Sequence, residues 1–180
     1  AEHPELKEGQ CVLFFWDATH FNYSWPRDAP PKFSPIAGEL DYFKAYPSKK
    51  NIRAIKNSYK NAVNYIDGLF GRFLSKTADI ENAIVVFTGD HGQEFFEYGH
   101  LFHLSELNDV QTEVPIYFQL PQKPAKQPAL ATHMDIFPTI IHALAPNSAP
   151  PTVLKGESLL SSHRWPYAVI ARYNASRTPC

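Results

Sequence analysis

Along this chain apolar residues come in short unbroken runs and in one long stretch that repeats at intervals of three and four. Residues 11–16 (CVLFFW), 83–87 (AIVVF) and 114–120 (VPIYFQL) are too short for helices and read as strands, the first two as central strands buried on both faces. Pro115 is tolerable near the start of the third, where a strand can forgo a donor. Between the first two runs, Ile52, Ile55, Tyr59, Ala62, Val63, Ile66, Leu69, Phe70, Phe73 and Leu74 mark one face of an amphipathic helix over 51–76, with Lys56, Lys60 and Arg72 on its wet side. Strand, helix and strand in that order predict a right-handed β-α-β crossover. A second helix is expected over 133–144, with Asp135 as N-cap and Pro138 in the first turn. Residues 104–111 read as a short helix or loop, and 168–171 as an edge strand. The fold class is therefore α/β, a largely parallel sheet sandwiched by helices.

Both central runs discharge into histidine-bearing loops. In an open α/β sheet, ligands bind beyond the carboxyl ends of the strands, where loops converge without burying unpaired backbone. The second run ends in Thr88-Gly89-Asp90-His91-Gly92, and His100 and His103 follow. Glycines on both sides of the pair let the backbone turn tightly, so that Asp90 and His91 can reach one ion. The first run leads to Asp17 and His20, and in a parallel sheet the two loops would open on the same edge. From Thr77 to Gln122 there is no Lys or Arg, while Asp79, Glu81, Asp90, Glu94, Glu97, Glu106, Asp109 and Glu113 are all acidic. A divalent metal ion suits that stretch. One carboxylate oxygen and one neutral imidazole favour zinc or manganese and do not exclude calcium or magnesium. The bland alternatives are that Asp90 caps the next helix, His91 is a polar loop residue, and His20 is a hydrogen-bonded loop histidine.

Composition narrows the partners. A chain of 180 residues can bury a real core, and a formal net charge of −1 gives no electrostatic case for nucleic acid. Sixteen prolines, about twice the usual share, gather in 26–35 and 115–151 and predict long stiff connections. No run approaches a membrane span and no signal peptide opens the chain. A start at Ala1 without Met reads as a processed product or a cut piece. Cys11 reads as a buried thiol and Cys180 is terminal, so the redox compartment stays open.

Six blocks in order resemble a known family: WDATHFNYSWP (16–26), YKNAVNYIDGLFGRFL (59–74), VVFTGDHGQEF (85–95), GHLFHLSELNDVQTEVPI (99–116), THMDIFPTII (132–141) and GESLL (156–160). Together they are similar to the C-terminal part of a sulfatase-type domain of the alkaline phosphatase superfamily. The likeness is nearest to sulfatase-like inner-membrane lipid regulators, with phosphoethanolamine transferases and lipoteichoic acid synthases more distant. The resemblance implies that 1–180 is a single α/β segment, a partial domain lacking the N-terminal part that bears the nucleophile. It implies a metal-dependent hydrolase or transferase acting on phosphate or sulfate esters, inactive as this segment, or alternatively a non-catalytic lipid-binding regulatory module. Asp90 and His91 match the metal-binding pair. His20 and His103 match the histidines that contact the phosphate or sulfate group, with His100 the competitor of His103. His133 and Asp135 match a supporting segment, and no residue matches the nucleophile. The implied partner is an anionic ester, possibly a lipid headgroup, and the implied location is the periplasmic side of the inner membrane, reached through segments outside this chain.

Overall fold

The periodic stretch folds as helix α1, Lys49–Lys76. Ser48 caps it, its hydroxyl accepting from the Asn51 amide at 3.2 Å. This computed structural model describes residues 9–26, 28–38, 48–77, 82–121, 130–148, 151–162 and 165–171. The chain divides into two compact units, Ala1–Ala78 with Gln93–Phe102, and Asp79–Gly92 with His103–Cys180.

In the first unit α1 supplies the core. Ile55 and Ala62 are buried with Tyr23, Phe95 and Phe102, and Phe21, Ile52 and Tyr59 close over them. The rings meet edge-on or tilted, Tyr23 to Tyr59 at 5.4 Å and Phe21 to Phe102 at 4.5 Å, separations at which the aromatic quadrupoles attract. Phe95 and Phe102 come from a hairpin, β2 (Glu94–Phe95) and β3 (Leu101–Phe102), paired antiparallel with Glu94 opposite Phe102. Two-residue strands are too short to leave an alternating signature, so the pattern of the sequence did not announce them.

α1 also buries a polar edge. Asn61 accepts from the Phe33 amide at 2.9 Å and donates to the Phe33 carbonyl at 3.0 Å, pairing with that residue as a neighbouring strand would. Asn57 donates to the Pro35 carbonyl, and the Ser58 hydroxyl accepts from the Ala37 amide. The proline-rich segment is thereby fastened to the helix through its backbone, with Ala37 packed against the core beside these bonds.

The strand expected over 11–16 is not formed. These residues join neither ladder, and Cys11, expected as a buried thiol, is exposed; Phe14 meets Phe73 of α1 at 5.4 Å, while Leu13 and Phe15 stay 90% and 82% exposed. A central strand needs ladder partners on both edges and cover on both faces, and residues 11–15 have neither. The β-α-β crossover that depended on it is accordingly absent among the described residues.

In the second unit β1 (Val85–Thr88) pairs with β4 (Ile116–Gln119), Thr88 opposite Ile116. The pairing is antiparallel, against the largely parallel sheet expected. A parallel neighbour requires a crossover that carries the chain back to the far end of the strand. Between β1 and β4 the helical structure amounts to one turn, α2 (Asp109–Thr112), and the chain re-enters at the end it left. Helix α3, Ile136–Leu144, follows a 3-10 turn, His133–Asp135. Thr132 caps the 3-10 turn and forms a capping box with Asp135, which is itself the N-cap position of α3 as expected but makes no side-chain capping bond to it. The other oxygen of the Asp135 carboxylate accepts from the Glu157 amide at 2.8 Å. The expected edge strand at 168–171 has no ladder.

Asn61→Ala should cost about 2 kcal/mol in urea unfolding, because it strands two backbone groups of a part-buried segment. Asn64→Ala removes only an exposed contact with Lys32 and should cost no more than about 0.5 kcal/mol.

Candidate functional site

The site is built where β1 stops. Gly89, Asp90, His91 and Gly92 turn away from the strand, and three contacts hold the turn. The Gly92 amide donates to the Gln111 carbonyl of α2 at 2.9 Å. A Cβ on Gly92 would lie 2.1 Å from the Val110 carbonyl oxygen, so only glycine lets the turn reach the helix. Gly89 is different: a Cβ there would meet nothing nearer than 3.6 Å, and its freedom is not what the turn requires. The second contact is His133, whose Nε2 lies 2.8 Å from the Gly89 carbonyl and so must donate to it, and the third is Thr88. Thr88 shares its hydroxyl proton between the Gly89 and Pro115 carbonyls, which leaves that oxygen occupied as a donor.

On this turn the Asp90 carboxylate stands in solvent, one oxygen accepting from the His91 amide at 3.0 Å. The His91 Nδ1 lies 2.9 Å from the Gly92 carbonyl. A carbonyl only accepts, so Nδ1 carries the proton and Nε2 presents a lone pair. That Nε2 is 3.6 Å from the second Asp90 oxygen, the spacing of two donors able to share an ion at about 2.1 Å from each. A backbone carbonyl on the far ring nitrogen is the arrangement that fixes the tautomer of metal-binding histidines. The donor set fits half of a cation site: among the described residues no group of three or more His, Cys, Asp or Glu side chains is placed to hold a metal.

The His103 ring stands against that of His91, centroids 3.9 Å apart. Downstream, buried Gln111 steadies the chain, its carboxamide oxygen accepting from the Ser105 amide at 3.2 Å and its nitrogen donating to the Ser105 hydroxyl at 2.6 Å. Asp90, His91 and His103 thus share the second unit. His20 belongs to the first, where it follows a 3-10 turn, Asp17–Thr19, with Nδ1 2.8 Å from the Phe21 carbonyl. His100 also lies in the first unit, in the β2–β3 turn.

Two polar pairings of the first unit were not foreseen from the sequence. Gln93 donates to the Tyr23 hydroxyl at 2.5 Å, and burial raises the phenol well above its usual range despite that bond. Glu97 pairs with Lys56 at 2.6 Å; burial opposes its charge, but Lys56 and backbone amides outweigh burial and hold the carboxyl below the ordinary range. Neither has a local pattern that distinguishes it from a surface residue.

The family model described as Sulfatase matches residues 9–145. The chain belongs to the sulfatase family. Over 79 residues it is 39% identical to human iduronate 2-sulfatase, covering 42% of the chain and 14% of that protein. It is 27% identical over 145 residues to dog arylsulfatase K, covering 72% of the chain and 26% of the relative. The frog Xenopus laevis supplies another arylsulfatase K, 26% identical over 125 residues, or 62% and 23%. The sulfatase segment therefore spans about a quarter or less of the length of these relatives. No solved structure matches it.

The close approach at Gly92 of this sulfatase segment gives a direct test. Gly92→Ala should destabilise the chain by about 3 kcal/mol in denaturant unfolding, since backbone must move to admit the methyl. Gly89→Ala should stay within about 1 kcal/mol.

Proposed function

We propose that this chain is the metal-binding and anion-binding portion of a sulfate-ester hydrolase. The observation that carries the reading is the placing of the Asp90 carboxylate and the His91 Nε2 side by side on one turn, with the His103 ring against His91, in a chain of sulfatase family. Sulfate rather than phosphate is favoured by the relatives, whose names are iduronate 2-sulfatase and arylsulfatase K.

Asp90 and His91 would hold a divalent cation, which generally serves the family and would supply Lewis-acid polarisation of a sulfuryl oxygen. His91 arrives with its tautomer set by Gly92, so no proton has to leave the coordinating nitrogen. His103 donates to the non-bridging oxygens as negative charge grows on them, from a position fixed by its contact with His91. His20 is assigned the same partner on the family resemblance alone. Thr88, the described threonine beside the site, is tied to two carbonyls; on the family resemblance alone, the nucleophile and the remaining cation ligands are assigned to segments outside this chain, and the segment by itself is assigned binding without turnover. The periplasmic, membrane-attached setting inferred from the sequence belongs to this proposal too; among the described residues no helix is long and apolar enough to cross a membrane.

Zinc titration by calorimetry tests the site. Asp90→Ala and His91→Ala should each weaken zinc by at least tenfold, the loss that even indirect support of a ligand commonly causes. In the complete protein, Asp90→Ala should abolish hydrolysis of p-nitrophenyl sulfate. Undiminished hydrolysis would place the chemistry elsewhere, and zinc binding without hydrolysis in the complete wild-type protein would mark a non-catalytic module.

A further inference from the structure

The solvent-facing stripe of α1 is basic over its N-terminal half. Arg53, Lys56 and Lys60 follow one another at intervals of three and four, so they share one face of the helix, Arg53 and Lys60 exposed and Lys56 half-buried. Lys32 joins them from the proline-rich segment, its ammonium donating at 2.9 Å to Asn64 of the same face. Lys32 and Lys60 also stand over one ring, that of Phe33, with their nitrogens 5.9 Å and 5.6 Å from its centroid. All of these residues belong to the first unit.

Among the described residues one carboxylate, Glu97, is paired with this group, through Lys56 at 2.6 Å. Lys56 and Lys60 are four apart on one helix, a spacing at which like charges destabilise it. The fold gains nothing by collecting these cations, and an anionic ligand would offset their repulsion. Between them lies an open hollow of about 440 Å³, lined by Ile52, Arg53, Lys56, Asn57 and Lys60. Its floor is firm, because Asn57 is buried and its amide nitrogen is committed to the Pro35 carbonyl.

Shape and charge choose among anions. Arg53 and Lys60 are two turns apart, about 10 Å along the axis, so a ligand engaging both carries anionic groups at the two ends of a ring-sized body. Arg53 offers a planar fork to two oxygens of a tetrahedral group, while Lys60 and Lys32 supply point charges for a second. A bilayer is a poorer match: lipid-binding clusters hold about four to eight cations, whereas here one of the lysines is already paired and Asp67 follows on the same exposed face. Single-stranded nucleic acid needs open aromatic faces for its bases, and the Phe33 ring is taken by two lysines.

We propose that this hollow is a binding site for a compact polyanion, a ring-sized molecule carrying several phosphate or sulfate groups, held by Arg53 at one end and by Lys60 and Lys32 at the other, with Lys56 between. The site shares no residue with the candidate functional site and does not rest on the function proposed above. Glu97, paired with Lys56, competes with the ligand.

Calorimetric titration of the full chain tests the site, with inositol hexakisphosphate as the phosphate probe and sucrose octasulfate as the sulfate probe. At least one should bind one-to-one at low salt and weaken by about tenfold or more near 1 M salt, where the screening length is roughly 3 Å. The tighter of the two identifies the group that the site takes. Arg53→Ala and Lys60→Ala should each weaken that probe by about tenfold. Arg72→Ala and Lys76→Ala, off the stripe at the far end of α1, should stay within about twofold of wild type. Glu97→Gln should tighten binding by about threefold, because it releases Lys56 while keeping an acceptor for the Phe95 amide. Failure of both probes to bind, weaker binding by Glu97→Gln, or equal losses at the far end of α1 would each overturn the proposal, as would binding confined to phosphatidylglycerol vesicles. Asp90→Ala should leave the affinity unchanged; its loss there would put the polyanion at the candidate functional site and overturn the proposal too.

Discussion

The site depends on a backbone approach closer than any side chain permits. The turn after β1 lies so near α2 that the Gly92 amide bonds to the Gln111 carbonyl, with the Val110 carbonyl where a methyl would be. Fixing Gly92 fixes its own carbonyl, and that carbonyl selects the tautomer of His91. The lone pair of the proposed ligand thus traces back to the absence of a Cβ one residue later. His133 holds the other end of the same turn through the Gly89 carbonyl. Two backbone groups, one on each side of the Asp-His pair, are enough to make a solvent-exposed dipeptide stand in one arrangement.

Polar side chains do much of the remaining fastening. Asn57, Ser58 and Asn61 hold the end of the first proline-rich segment, from Phe33 to Ala37; Gln111 holds the chain beyond His103; Asp135 and Thr139 bind the loop at Glu157 and Leu159. Each does for a loop what a ladder does for a strand, supplying the partners that a buried backbone would otherwise lack. Among the described residues no buried side-chain nitrogen or oxygen is left without a partner. A chain rich in proline, which removes donors and resists regular structure, can be fixed in this way with few strands.

What was legible in the sequence follows the range of the forces involved. The helix over 51–76 was plain because its burial repeats every three to four residues, and it formed as Lys49–Lys76. The runs at 83–87 and 114–120 gave β1 and β4 because short apolar runs ending at glycine or proline signals have few other solutions. The run at 11–16 looked the same and formed no strand, because local composition records a tendency to extend but not the presence of neighbours to pair with. Parallel or antiparallel pairing was equally hidden, being a property of the connection and not of either strand. The capping box shows the same limit at small scale: Asp135 reads as the cap of α3 and stands at that position, but its side chain turns back to the Thr132 amide instead of capping α3.

The chain by itself determined its long helix, two of its strands, its sulfatase membership and the residue types of the candidate site, because each is written in local periodicity or in ordered blocks of residues. Only the tertiary structure decided that Asp90, His91 and His103 share one unit, that Gly92 rather than Gly89 is indispensable, and that Lys32 joins the basic stripe of α1. Those outcomes depend on how separate stretches of the chain pack, as where the Val110 carbonyl oxygen leaves no room for a side chain at position 92.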